Sequence, residues 1–182
     1  YQGIHERNRS VRLRSNFKLG LDLIEGLNIS TSLATDYSIE RRNYFQPASL
    51  NVDGWSKSLG ETGINLMVLN ENLISYRKTI GESHSISAIG GFSYQYDQIE
   101  YNGGYAQNSP SDKIQYAPGG LPGLTVLGSG DFQQTVALKN YISDMEEKTL
   151  LSWFARLEYN YLRKYFLSAS IRRDGSSTFG KN

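Results

Sequence analysis

Hydrophobic and polar residues alternate along much of this chain. From Val11 to Leu23, Val11, Leu13, Phe17, Leu19, Leu21 and Leu23 share one parity, and Arg12, Arg14, Asn16, Lys18, Gly20 and Asp22 share the other. Only Ser15 interrupts the apolar row. A period of two held this long predicts a strand with one apolar and one polar face. At about 3.3 Å per residue and a tilt near 45°, such a strand crosses a bilayer, whereas strands of soluble domains are typically about 5 or 6 residues long.

The pattern returns after a tight Glu25-Gly26 turn, where Leu27, Ile29, Leu33, Tyr37 and Ile39 alternate with Asn28, Ser30, Ser32, Asp36, Ser38 and Glu40. Six strands are predicted in all, at about 10–24, 27–45, 63–79, 85–101, 149–162 and 165–174. Phe92, Tyr94 and Tyr96 share the outer face of the fourth. In the third, Leu66, Val68, Leu69, Leu73, Ile74 and Tyr76 fit neither parity cleanly, which suggests a bulge near Leu69. The fifth sets Trp153, Ala155, Leu157, Tyr159 and Tyr161 against Ser152, Arg156, Glu158 and Asn160. The sixth sets Tyr165, Leu167, Ala169 and Ile171 against Ser168, Ser170 and Arg172. Tyr159, Tyr161 and Tyr165 gather around the turn at Leu162 to Lys164, where an interfacial aromatic girdle would lie.

Connection lengths sort the strands further. The turns near Gly26, Glu82 and Arg163 are short, while 46–61 and 102–148 are long, and the two kinds alternate. In an up-and-down meander every short turn then lies at one rim and every long loop at the other, as in outer-membrane barrels. The predicted fold is therefore all-β, an antiparallel up-and-down meander forming part of a large transmembrane β-barrel. Six strands are fewer than the eight of the smallest single-chain barrels, so the remainder of the wall is expected elsewhere. The chain opens at Tyr1 without a methionine or a secretory pattern and stops at Asn182 in mid-motif, which fits a piece of a longer protein.

Composition changes this picture little. A net charge of +1 gives no reason to expect nucleic acid as a partner, and the absence of cysteine excludes a disulfide framework and thiolate metal sites. No apolar run approaches the length of a transmembrane helix. A mean hydropathy of -0.47 agrees with a strand-built wall that is apolar on one face only. The 13 Tyr, 7 Phe and 2 Trp weight the aromatics toward the type that sits where apolar meets wet.

Candidate chemistry is sparse. His5 and His84 have no carboxylate or second histidine at ligand spacing, and His84 is expected in a solvated turn. Without a Ser-His-Asp or Cys-His set, no enzyme, catalytic residue, cofactor or metal site is predicted. Asp144 with Glu146-Glu147 lacks the alternation of a calcium loop and reads as a solvated acidic patch. Gly119-Gly120, Gly123, Gly128 and Gly130 lack a following Gly-Lys-Ser/Thr and read as loop-makers. Of the cluster Arg7, Arg9, Arg12 and Arg14, parity puts Arg12 and Arg14 on the polar face. Trp55, Tyr101, Tyr105 and Tyr116, in or beside the long loops, are the candidate contacts for a substrate or partner. Asp174-Gly175-Ser176-Ser177 reads as a turn leaving the sixth strand.

The stretch WFARLEYNYLRKYFLSASIRRDGSSTFGKN, Trp153 to Asn182, resembles a segment of the SusC/RagA family of TonB-linked outer-membrane transporters. Leu69 to Tyr76 (LNENLISY), Gly90 to Gln95 (GGFSYQ) and Asp36 to Phe45 (DYSIERRNYF) follow family order at similar spacing. The resemblance implies a TonB-dependent importer of oligosaccharides or peptides in a bacterial outer membrane of the Bacteroidetes type. It implies a large barrel with an N-terminal plug, gated by TonB and covered by a SusD-like surface lipoprotein, with the bilayer as solvent. The plug, the TonB-contacting segment and most of the barrel lie outside this sequence. The rival expectation is a soluble all-β carbohydrate-binding module, in which the apolar rows would be buried against a second sheet.

Overall fold

The computed structural model describes residues 3–109, 111–113, 115–116, 124–127, 134–137 and 139–178, with backbone alone for 124–127, 134–137 and Lys139. The strands are β1 (His5–Ile24), β2 (Leu27–Gln46), β3 (Lys57–Ile80), β4 (His84–Gln107), β5 (Leu124–Leu127), β6 (Gln134–Ala137), β7 (Lys139–Tyr161) and β8 (Tyr165–Ser176). A 3-10 turn at Ala48–Leu50 lies between β2 and β3. Six strands form one sheet in the order β1-β2-β3-β4-β7-β8, while β5 and β6 pair with each other. The strands of the large sheet follow one another in chain order, with β5 and β6 set aside between β4 and β7, so the sheet is an antiparallel meander. Among the described residues no helix is long and apolar enough to cross a membrane, and that says nothing of strands.

Several strands outrun the expected bounds. β3 begins at Lys57 rather than near 63, β4 continues to Gln107 rather than 101, and β7 begins at Lys139 rather than 149. The long connections are correspondingly shorter than 46–61 and 102–148. The ladder persists there because backbone pairing needs no apolar side chain. The alternation that betrays a strand ends where both faces become polar. Asp174 and Gly175 likewise belong to β8, opposite Ser152 and Leu151, so the turn expected at them begins only after Ser176.

Side-chain partners fix the register. Between β1 and β2, His5 meets Phe45 with ring centroids 6.5 Å apart, Arg14 Nε lies 2.8 Å from Asp36, the Ser15 and Thr35 hydroxyls are 2.6 Å apart, and Asn28 donates to Asp22 at 2.8 Å. Every step forward along β1 is matched by one step back along β2. Between β2 and β3, Arg42 pairs with Glu61, Asn65 donates to Ser38, Ser32 donates to Glu71, and the Arg77 N–H donates to the Gly26 carbonyl. That offset is constant too, so no bulge interrupts β3 at Leu69. The confused phase arises from exchanged residue types: Asn70 and Asn72 hold positions of apolar parity, while Met67, Leu69 and Leu73 hold positions of polar parity. Leu73 has a packing reason to be there. With Phe154 it closes over Gly91, where an added Cβ would lie 2.4 Å from Phe154 Cε1 and 2.8 Å from Leu73 Cδ2.

The hairpins turn on left-handed residues. Gly26 at φ +83° ends the first, and a Cβ there would lie 2.0 Å from the Arg77 carbonyl oxygen, so glycine is required. Gly81 at φ +59° serves the second, and Leu162 and Arg163 at φ 53° and 58° serve the third.

The chain divides into two compact units. One comprises Tyr1–Arg12, Ser38–Asn65 and Ile99–Glu146, and the other Leu13–Tyr37, Leu66–Gln98 and Glu147–Asn182. Both long connections fall in the first and all three short turns in the second. The second unit is a bare wall. Phe17, Leu19 and Leu21 are 59–71% exposed, and Leu157, Leu167 and Ile171 are similarly open, so the rows that a sandwich would bury are uncovered.

Candidate functional site

The polar face is an array of charged and hydrogen-bonded side chains presented by alternate residues of the strands. In the first unit Arg42 reaches Glu6 at 2.9 Å on one side and Glu61 at 3.6 Å on the other, and the Tyr101 hydroxyl donates to Glu61 at 2.6 Å. In the second unit Arg14 pairs with Asp36, Arg156 with Glu158 at 2.5 Å, and Arg172 with Asp174 at 2.9 Å. At least one partner of each pair is solvent-exposed, so each contributes little to stability. Chemically they form a wetted surface offering both donors and carboxylate acceptors, suited to many weak contacts with a polar solute.

The connection between β2 and β3 is packed into a small knot in the first unit. Phe45, Pro47, Ser56, Ser58 and Ala106 are buried there. The Asn51 side chain donates to the carbonyls of Pro47 and Trp55, and Asp53 accepts the Trp55 N–H at 3.0 Å. The Asn108 N–H donates to the Ser56 carbonyl and the Ser109 N–H to the Ser56 hydroxyl, while Asp112 accepts the Ala48 N–H. The Trp55 N–H and the neighbouring Lys57 ammonium, 3.2 Å away, hold the Asp53 carboxyl below its ordinary range.

The four aromatic candidates all lie in the first unit, in different local settings. Tyr101 lies on the polar face, bonded to Glu61, with its ring over Gly103, where an added Cβ would stand 2.9 Å from the hydroxyl. Trp55 is half-buried in the knot, and Tyr105 is half-buried at the end of β4. Tyr116 is 60% exposed and borders a recess with Ile4, His5, Arg7, Asn43 and Phe45. Of the four, Tyr116 presents the most open ring.

Two other expectations change. His84 is not a solvated turn residue. It opens β4 half-buried, with Nδ1 2.6 Å from the Tyr159 hydroxyl and its ring centroid 4.9 Å from that of Tyr161, which in turn stacks on Tyr165. Sequence reasoning named the three tyrosines but missed His84, although its place immediately after the second turn was a usable signal. Asp144, Glu146 and Glu147 lie within β7, so Glu147 points away from the other two, and it accepts the Tyr96 hydroxyl at 2.6 Å. The arginine cluster divides along its parity: Arg14, paired with Asp36, and Arg12 with it, share a face opposite to that of Arg7 and Arg9. The glycines at 119–120, 123, 128 and 130 lie outside the described residues.

No protein-family model matches the chain. The TonB-dependent receptor P39 of Formosa agariphila is 32% identical over 167 residues, covering 90% of this chain and 15% of the receptor. The TonB-dependent receptor P3 of the same organism is 30% identical over 185 residues, covering all of this chain and 17% of the receptor. The solved structure of the RagAB peptide transporter aligns with a TM-score of 0.83 at 19% identity, over 98% of this chain and 19% of that one. The chain therefore spans less than a fifth of each of these proteins. The likeness in structure covers the whole meander, which is accordingly a portion of barrel wall.

Proposed function

We infer the function from a premise that relatives and fold supply together: the chain is a segment of the β-barrel of a TonB-linked transporter of the SusC/RagA family. Within the whole protein, this segment contributes a stretch of outer-membrane wall whose polar face lines the conduit and whose long connections form part of its outer mouth. Neighbouring barrel strands pair with β1 and β8, which are the edges of the sheet here. Long edges left open invite unwanted pairing, and closure removes them. The imported solutes are oligosaccharides or peptides. Peptides gain support from the structural match to the RagAB peptide transporter. TonB acts on parts of the protein outside this segment, and a SusD-like surface lipoprotein covers the mouth. Trp55, Tyr101, Tyr105 and Tyr116 are the wall's aromatic contacts for solute or lipoprotein. The work is binding and gated passage.

The observation that carries this reading is the two-faced sheet, with exposed aliphatic rows on one side and cross-strand ion pairs on the other. Import by cells carrying the full-length protein tests it. A bulky thiol label on a cysteine placed at Arg14 should slow uptake several-fold, while the same label at Leu21 should leave it unchanged. Equal effects from both labels, or uptake that persists without TonB, would overturn the reading.

A further inference from the structure

Arg7 and Arg9 of β1 share the parity of the exposed apolar row Val11, Leu13, Phe17, Leu19 and Leu21, and continue that row beyond Val11. On β2, Arg41 continues the row Leu33, Tyr37 and Ile39 in the same way. The offset set by His5 against Phe45 and by Ser15 against Thr35 places Arg9 directly opposite Arg41, and Arg7 opposite Asn43. All three arginines are exposed, and among the described residues none of them has an ion pair. The constant offset from β2 to β3 puts Thr62 beside Arg41 and Gly60 beside Asn43, so β3 brings no carboxylate to this face. Glu6, Glu40 and Glu61 have the opposite parity, and Arg42 holds two of them. His5 adds a further nitrogen base on the same side as the arginines.

Like charges placed directly opposite on neighbouring strands destabilise a sheet, and a guanidinium is shaped to bind phosphate oxygens in pairs. The apolar row from Leu23 to Val11 runs about 40 Å along the strand, which at barrel tilt is close to the roughly 25 Å height of a lipid-facing band. Arg9 and Arg41 therefore begin where acyl chains give way to headgroups.

We propose that Arg7, Arg9 and Arg41 form an outward-facing site for the phosphate groups of a phosphorylated glycolipid in the leaflet at the long-loop end of the barrel. The proposal rests on the reading that the aliphatic rows face lipid. The bound lipid neutralises the Arg9–Arg41 repulsion and thereby braces the β1–β2 hairpin above the apolar band.

The test uses the full-length transporter in detergent, with native mass spectrometry to count bound lipid. The probes are diphosphorylated lipid A, its dephosphorylated counterpart with the same acyl chains, and inorganic phosphate. The wild-type protein should retain the diphosphorylated form at least about ten-fold better than the dephosphorylated one, as expected for several charge-assisted contacts. The variant Arg7→Gln/Arg9→Gln/Arg41→Gln should lose that preference, and Arg12→Gln/Arg14→Gln on the polar face should keep it. Single Arg41→Gln should weaken the preference in part, which guards against misfolding of the triple variant. An unchanged preference in the triple variant would overturn the site, and displacement of the lipid by millimolar phosphate would overturn the choice of a lipid ligand. A spin label at Leu21 in bilayers separates the two readings. If it contacts lipid and the triple variant binds normally, only the glycolipid site fails; if it is shielded from lipid, the barrel reading fails as well.

Discussion

The two units of this chain are stabilised by different means. In the unit carrying the long connections, Phe45, Pro47, Ser56, Ser58 and Ala106 are buried, and the side chains of Asn51, Asp53, Ser56 and Asp112 satisfy loop backbone groups. In the unit carrying the short turns no described residue is buried, and its aliphatic side chains stand open on a single-layer sheet. The first resembles a small water-soluble core. The second can be stable only in a surrounding that accepts bare Leu, Phe and Ile, which a lipid phase does. Substitutions should therefore follow loop and core logic in the first unit, and backbone and membrane logic in the second.

The sharpest way to break that contrast is at Gly26. Its left-handed φ and the 2.0 Å approach of a built Cβ to the Arg77 carbonyl leave no room for a side chain. Gly26→Val in the full-length protein should cost about 3 kcal/mol or more. It should appear as loss of the compact, heat-modifiable band on a gel, whereas Gly54→Ala, also left-handed at φ +70° but with nothing within 4 Å, should lose only about 1 kcal/mol to backbone strain and still fold.

Next in size is Gly91, beneath Phe154 and Leu73. Gly91→Ala should destabilise by about 1–3 kcal/mol through overpacking, and adding Phe154→Ala should recover part of the loss. Additive losses in a denaturant titration of the double variant would show that the contact is not made.

The hydroxyl pair of Ser15 and Thr35 probes the surrounding medium, because it lies within predominantly apolar rows. In lipid, Ser15→Ala leaves Thr35 unpaired and should cost about 1–2 kcal/mol, while Ser15→Ala/Thr35→Val removes both groups and should be close to neutral. In water, both variants would be nearly silent.

The smallest effect belongs to the loop. Asp53 is held below its ordinary pKa by the Trp55 N–H and then by Lys57, so its contribution is fully present above the ordinary carboxylate range and is lost as pH falls through the lowered value. Asp53→Asn should open the loop to pepsin at pH 4 relative to the wild type. The difference should fade as the pH is taken down, and a gap that widened instead would contradict the sign.

The strands were legible wherever one face is apolar and the other polar, since Val11 to Leu23 and Trp153 to Ile171 carry period two in their residue types. The extensions of β3, β4 and β7 were not legible, because Lys57 to Thr62, Asn102 to Gln107 and Lys139 to Lys148 have too little apolar contrast between faces. Nor was the register, which distinguishes a true bulge from the exchange of Asn70 and Asn72 with Leu69 and Leu73. The candidate site followed the same rule. The polar face was readable from parity, but whether an aromatic ring is open, like Tyr116, or committed, like Tyr101 to Glu61, depends on cross-strand partners that spacing does not reveal.

The central claim is that the aliphatic rows contact lipid and the polar rows contact water. Spin labels at Leu21, Leu157 and Ile171, and at Arg14, Glu158 and Ser170, in the full-length protein reconstituted into bilayers, test it directly. The account predicts that the first three collide mainly with oxygen dissolved in the acyl chains and the second three mainly with a water-soluble nickel chelate. The same accessibility at both sets, or shielding of the first three from both reagents, would contradict it.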